Sequence, residues 1–251
     1  KKAITDTTSS DSKVTIADEI ESYKNAIYSL ANSNTSGQYL FSGNSSSTQA
    51  FQKDATTGKI TYIATNDNKS VNVETGSYTT QGVNGIELLY YTNNTAQAGE
   101  NLTFDENEII LDKDGNQYKL LDNDNDGSFD GLYLNGDSSN TPLTVTDNGD
   151  GSFTVNNAGT TALQSKYSIL DDLDKIINAL KQQDSSGNTI TEDEATTLLS
   201  DALSTVTNAY DTMNITHAKL GTRTASIENY ESIVQSKLTN FNLLQENYSA
   251  A

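Results

Sequence analysis

The sequence predicts an α+β protein: an elongated helical rod made by the two ends of the chain, with an inserted all-β domain of the sandwich or small-barrel kind. Three observations carry this. Apolar residues near both ends recur at alternating steps of four and three, the period of helices packed along a partner. Between them lie short alternating segments, "KITYIA", "SVNVE", "EIILD", "QYKLL" and "SFTVN", cut by Asn, Asp and Gly clusters. A compact apolar wedge, "GQYLFSG" at Gly37 to Gly43, stands between polar stretches where the first helix must stop.

From Val14 to Ala31 the spacing of Ile16, Ile20, Tyr23, Ile27 and Leu30 predicts an amphipathic helix, with Asp18, Glu21 and Lys24 on other faces. Thr35, Ser36 and Gly37 end it. Glycines at both ends of the wedge permit a chain reversal, and Tyr39, Leu40 and Phe41 are expected to pin a short strand against the rod. Strands and hairpins follow as far as Gln164. "DKDGNQ", "DNDNDG" and "DNGDGS" supply the positive φ that tight turns require.

After Lys166 the helical period returns. "YSILDDLDKIINALKQ" places Ile169, Leu170, Leu173, Ile176, Ile177 and Leu180 on one face, and "QDSSGN" turns the chain. Thr191 and Glu194 form a capping box. A seam then runs through Leu199, Leu203, Val206, Tyr210, Met213, His217, Leu220, Thr224, Ile227, Glu231, Val234, Leu238 and Phe241. A helix from Glu192 to Tyr248 would be ~85 Å long, and the sustained register is that of a coiled coil or long bundle. The expected domains are a discontinuous rod of residues 1–50 and 166–251 and a β domain of residues 51–165.

Composition narrows the function. The chain has 251 residues, 34 Asp plus Glu against 15 Lys plus Arg, and a net charge of −19. Such a chain repels nucleic acid and anionic membranes, and no apolar run reaches the length of a membrane span. There is no Cys, so disulfides, thiolate ligands and cysteine nucleophiles are excluded.

The residues also carry a resemblance. Ala31-Asn32, the Gly37–Gly43 motif, Thr48 and Phe51, followed by "GKITYIATNDNKSVNVETG", resemble the flagellin superfamily in its hook-associated protein 3 branch of hook–filament junction proteins. That branch usually has Pro just before the Phe, where this chain has Ala50. "NAYDTMNITHAKLGTRTASIENYE" is similar to the long helix of the branch, with a Leu-Gly-x-Arg element at Leu220, Gly221 and Arg223. The resemblance covers the two ends and not the middle. It implies a secreted, extracellular structural adaptor, not an enzyme, that leaves by flagellar type III export with a chaperone. It further implies assembly between hook-associated protein 1 and flagellin alongside copies of itself. Tyr39, Leu40, Phe41, Leu220, Gly221 and Arg223 are the expected structural and assembly residues. A divergent minor flagellin is the nearest alternative, and a calcium- or carbohydrate-binding surface module is the alternative of another class.

Candidate chemistry is sparse. Asp122, Asp124, Asp126 and Asp130 in "DNDNDGSFDG" have the spacing that opens a calcium loop, but position twelve is Tyr133, where an EF-hand requires Glu, and the flanks read as strands. An acidic hairpin tip is the plainer reading, and no other cofactor is implied. His217 lies on the long-helix seam without a nucleophile pattern elsewhere, so it reads as a packed or seam-edge residue. Arg223 is either a contact to a neighbouring subunit or a cation paired within its own helix. The chain opens with "KKAITDTTSS" and stops at "LLQENYSAA" within what looks like heptad sequence, with no Gly or Pro after Tyr248 to cap the long helix. These ends are expected to be the cut edges of a longer chain, which as it stands would be a soluble monomer.

Overall fold

The computed structural model describes residues 10–159 and 161–249. In chain order it has α1 (Ser10–Ala31), the short pair β1 (Asn34–Thr35) and β2 (Gln38–Tyr39), and two hairpins, β3 (Phe51–Lys53) with β4 (Ile60–Tyr62) and β5 (Lys69–Glu74) with β6 (Ser77–Gln81). A short helix α2 (Gly85–Leu89) leads into β7 (Tyr90–Ala96), β8 (Asn101–Asp105), β9 (Ile109–Asp112), β10 (Gln117–Leu121), β11 (Gly131–Leu134), β12 (Val145–Asp147), β13 (Ser152–Asn156) and β14 (Leu163–Ser168). Then come α3 (Ile169–Leu180) and α4 (Glu192–Ser249), the latter an unbroken helix of 58 residues. No helix among the described residues is long and apolar enough to cross a membrane.

The β domain is a sandwich of antiparallel sheets. One has the order β11-β10-β9-β14-β7 and the other β12-β13-β8. Their inner faces meet in a core of Leu102, Phe104, Ile110, Leu132, Phe153, Val155 and Leu163, with Phe129 edge-on to Phe153. The turns are closed by aspartates. In Asp112–Asn116 and again in Asp184–Asn188, Asp Oδ1 accepts from the N–H two and four residues on, and Oδ2 accepts from the Asn side chain. Such local bonds satisfy backbone donors that no strand can reach.

The rod differs from expectation in two ways. First, α1 and α4 do not simply pair: α3 lies between them, with Ala17 of α1 and Leu199 of α4 sharing one cluster around Ile177, Ala179 and Leu180. Second, the inward faces are rotated by about one residue from the sequence seams. In α1 the buried residues are Ala17, Lys24 and Ala31, a seven-residue repeat, while Tyr23 and Leu30 are 59% and 66% exposed. Lys24 is tolerated inside because Asp174 of α3 accepts its ammonium at 2.5 Å. In α4 the inward face is Ala195, Leu199, Ala202, Ala209 and Thr216, whereas Val206, Tyr210, Met213, Val234, Leu238 and Phe241 face solvent. The side chain of Leu203 lies outside the described residues.

Parts of residues 51–89 join the two regions. Phe51, Ile60, Tyr62, Ile86 and Leu89 share a core with Ala31 of α1 and Leu170 of α3. Tyr90, Ile109 and Leu111 of the five-stranded sheet belong to the same core, so the β3–β4 hairpin and α2 pack between the helices and the sandwich.

Candidate functional site

The wedge sits where α1 ends, and its geometry is set by Asn32. The Asn32 side chain donates to the Phe51 carbonyl and accepts from the Phe51 N–H, both at 2.9 Å, imitating one rung of a strand ladder. This clamps the helix end to β3. Leu40 N–H then returns to the Ser33 carbonyl at 3.0 Å, closing the reversal. Gly43 has φ +58, and a Cβ there would come within 2.3 Å and 2.4 Å of the Asp67 and Thr65 carbonyl oxygens, so the turn requires glycine. Buried Ser42 donates to the Thr48 carbonyl at 2.5 Å.

Of the three wedge side chains, Phe41 packs on the core around Phe51 and Tyr62, and Tyr39 is half-buried. Leu40 corrects the expectation: it is 52% exposed and pins nothing within the chain. Beside it is an apolar cavity of about 290 Å³ lined by Tyr39, Leu40, Phe41, Val83 and Leu220. Leu220 thus reaches the wedge from the long helix.

Between wedge and long helix lies α2, which the sequence reading missed. Gly85 N–H donates to the Phe41 carbonyl at 2.8 Å, and the rings of Phe51 and Tyr62 leave no room for a Cβ at Gly85. Asn84 caps the helix by accepting from the Glu87 N–H. Asn-x-x-Glu before "LLYY" was the available signal, a relative of the capping box. Glu87 then becomes the latch. Arg223 donates to it through both guanidinium arms, at 3.0 Å and 3.3 Å, and to the Gly82 carbonyl at 2.5 Å. Lys219 pairs with the same carboxylate, Asn68 donates to it at 2.9 Å, and Thr216 donates to the Glu87 carbonyl at 2.6 Å. Burial raises the Glu87 carboxyl, but the bonds from Arg223, Lys219 and Asn68 outweigh it and hold the group below the usual carboxylate range. Arg223 is therefore paired across 136 residues of sequence, not within its own helix. Gly221 faces open space, so nothing in this chain requires its missing Cβ, although glycine costs a helix ~1 kcal/mol relative to alanine.

The acidic loop connects β10 to β11. Oxygens of Asp122, Asp124 and Asp130 lie within 4.8 Å of one another, but Asp126 does not join them. Its carboxylate accepts from Ser128 N–H at 2.8 Å, and its own N–H donates to Asp122 and Asp124. Asp130 accepts from Asn123 N–H at 2.7 Å. Tyr133, at position twelve, is buried in the sandwich. The flanks are strands, so the EF-hand arrangement is not completed, and several of the carboxylate oxygens serve as acceptors for the turn. The Asp126 N–H lowers Asp124, yet the charges of Asp126 and Asp130 outweigh it and hold Asp124 above its ordinary value.

His217 is exposed rather than packed.

No protein-family profile matches the chain, and no curated protein matches it by sequence. Solved structures do match. A crystal structure of FlgL from Xanthomonas campestris is 17% identical, with a TM-score of 0.59, over 100% of this chain and 86% of that one. A second crystal form of that protein gives 18% and 0.54 over 92% and 82%. The flagellar hook associated protein-3 from Legionella pneumophila gives 17% and 0.50 over 98% and 85%. At this identity the likeness shows a shared fold, the α+β architecture of a helical rod carrying a β domain.

Proposed function

We propose that this chain is a structural component of the bacterial flagellum, an adaptor that joins hook to filament by side-by-side packing of helical rods. The observation that carries this is the large apolar area that α4 leaves uncovered. Ala195, Leu199, Ala202, Ala209 and Thr216 are turned onto the chain itself, while Tyr210, Met213, Ile215, Val234, Leu238 and Phe241 are left exposed. A lone protein has no use for so many exposed apolar side chains, because exposed apolar area contributes nothing until another surface removes it from water. The fold is that of solved FlgL and flagellar hook associated protein-3 structures. The partners in this reading are hook-associated protein 1, flagellin and further copies of the chain, reached after export from the cell with a chaperone, and Leu40 and Leu220 lie on the face offered to them.

Electron microscopy of a deletion strain tests it. Hooks without filaments, with flagellin released to the medium, are expected, and immunolabel on the restored protein should sit at the hook–filament boundary. Normal filaments in the deletion strain, or label along their length, would overturn the adaptor reading, the second outcome favouring a minor flagellin.

A further inference from the structure

A groove of about 650 Å³ runs between α2, β7, the β9–β10 turn and α4. Its lining includes Lys113, Lys166 and Lys219, with the amide side chains of Asn66 and Asn68, in a chain whose acids outnumber its bases 34 to 15. The carboxylates that share it are committed, and two of them also commit Lys113 and Lys219. Glu87 holds Arg223, Lys219 and Asn68; Asp112 accepts the bonds that close its own turn; and Asp114 pairs with Lys113 at 3.1 Å. Lys166 is different. Its ammonium donates to Thr92 Oγ1 at 2.5 Å, and no carboxylate pairs with it among the described residues. Burial, and then the nearby charge of Lys219, push Lys166 below its ordinary value, so a carboxylate brought here would relieve a real cost.

The acidic counterpart is on the same chain but out of its own reach. The Asp122–Asp130 loop leaves one end of β10, while the Lys113–Gly115 turn that lines the groove leaves the other. The five residues of β10 separate them by about 17 Å. We propose that the groove around Lys166 receives the Asp122–Asp130 hairpin tip of a second copy of this chain. Donor and acceptor surfaces lie at opposite ends of one strand, and we take the contact as heterologous, the kind that propagates from copy to copy into a ring or an open helical array rather than closing as a two-fold dimer. Both surfaces gain: the tip loses repulsion among Asp122, Asp124 and Asp130, and Lys166 gains a counter-ion. The inference rests on the reading of the chain as one that packs beside copies of itself, and it adds where the copies touch.

Because the chain has no Cys, engineered cysteines report the contact cleanly. Asn123→Cys marks the tip and Ile215→Cys, at a position 68% exposed, marks the groove, and neither removes a charge. With a short bismaleimide at high protein concentration and low salt, the double variant should give a ladder of multimers. An equal mixture of the two single variants should stop at dimers. The ladder should vanish in ~1 M salt, where the Debye length is about 3 Å, and in Lys166→Glu. Lys166→Gln, whose fold is checked by circular dichroism, should weaken it even if the reversed charge disturbs packing. The inference is overturned if the double variant cross-links no more than Asn123→Cys paired with Thr56→Cys, or if the ladder survives both Lys166 variants. A failed ladder, with hooks still bare in the deletion strain, removes this contact and leaves the adaptor reading. A ladder from a protein that does not label the junction does the reverse.

Discussion

The sandwich and the rod bury apolar surface in opposite ways. In the sandwich the large side chains point inward: Leu102, Phe104, Ile110, Leu132, Phe153, Val155 and Leu163 meet between two sheets and leave little apolar area outside. In α4 mostly small side chains, with Leu199, point inward, and most of the large ones are exposed. A fold that ends at its own surface places bulk where it can be covered by itself. A fold that is one part of an assembly keeps bulk for its neighbours and uses small residues to bring its own helices close. The difference says which half of this molecule is complete alone.

The comparison breaks first in the sandwich. Phe104→Ala removes a ring that is 2% exposed and tilted against Phe153 at 6.1 Å, and it should cost ~3–5 kcal/mol. Chemical denaturation will show this as a lower midpoint with unchanged slope, and a change under ~1 kcal/mol would mean the core is not closed as described.

Next is pH, read at the base of the rod. Burial, the largest influence, raises Asp171 from 3.8 to about 6, and burial likewise raises Asp172 and Glu108. A carboxyl raised in the folded state favours folding when protonated. Its contribution is full below the unfolded value and is lost as pH rises through the folded one. Glu87 is shifted the other way, so its contribution is lost only as pH falls through its lowered value. Melting temperature should therefore rise between pH 7.5 and 5 and turn down again at stronger acidity. The Asp171 share is at most ~3 kcal/mol. Asp171→Asn should flatten the rise, and an equally steep rise in that variant would refute the assignment.

Arg223→Met sharpens the comparison at the latch. It leaves Glu87, a half-buried carboxylate, with fewer donors, and the expected cost is ~1.5–3 kcal/mol. Arg223→Lys should recover only part, since one ammonium cannot reproduce both guanidinium bonds. Full recovery by Lys would show that charge alone holds α2 to α4.

Smaller still are the outward residues. Tyr210→Ser and Phe241→Ser, at positions 65% and 69% exposed, should change stability by no more than ~0.5 kcal/mol. The same variants should abolish filament attachment in the cell. Loss of stability without loss of motility would reverse the roles given to the two faces. Smallest of all is the response to calcium. With Asp126 turned away and Tyr133 buried, millimolar calcium should leave the melting temperature unmoved. A shift that disappears in Asp122→Asn/Asp124→Asn would show that the tip holds a cation.

Much of the fold was legible because local rules governed it. Thr191 and Glu194 do form the capping box, with the Thr191 N–H donating to Glu194 at 2.8 Å and the Glu194 N–H returning to Thr191 at 3.3 Å. The Asp, Asn and Gly clusters are turns because an aspartate can satisfy donors two and four residues away without help from distant parts of the chain. The 3.5-residue period gave helices of nearly the observed lengths. These features depend on neighbours in sequence, so the sequence alone determined them.

Tertiary structure decided which stripe of each helix faces inward. The stripe of large residues in α4 is real, but a period cannot say whether its partner is this chain or another, and here α3 and α2 claimed the alanines and threonines instead. It also decided the latch, since Glu87 and Arg223 are unremarkable charges until α2 is set beside α4 by the clamp at Asn32 and Phe51. Leu40 was misread for the same reason: three apolar residues in a row cannot all point inward from a short extended segment, and the side that turns out is settled only when the surrounding surfaces are in place. Contacts across a hundred residues obey packing and charge, and neither leaves a mark in the local order of the chain.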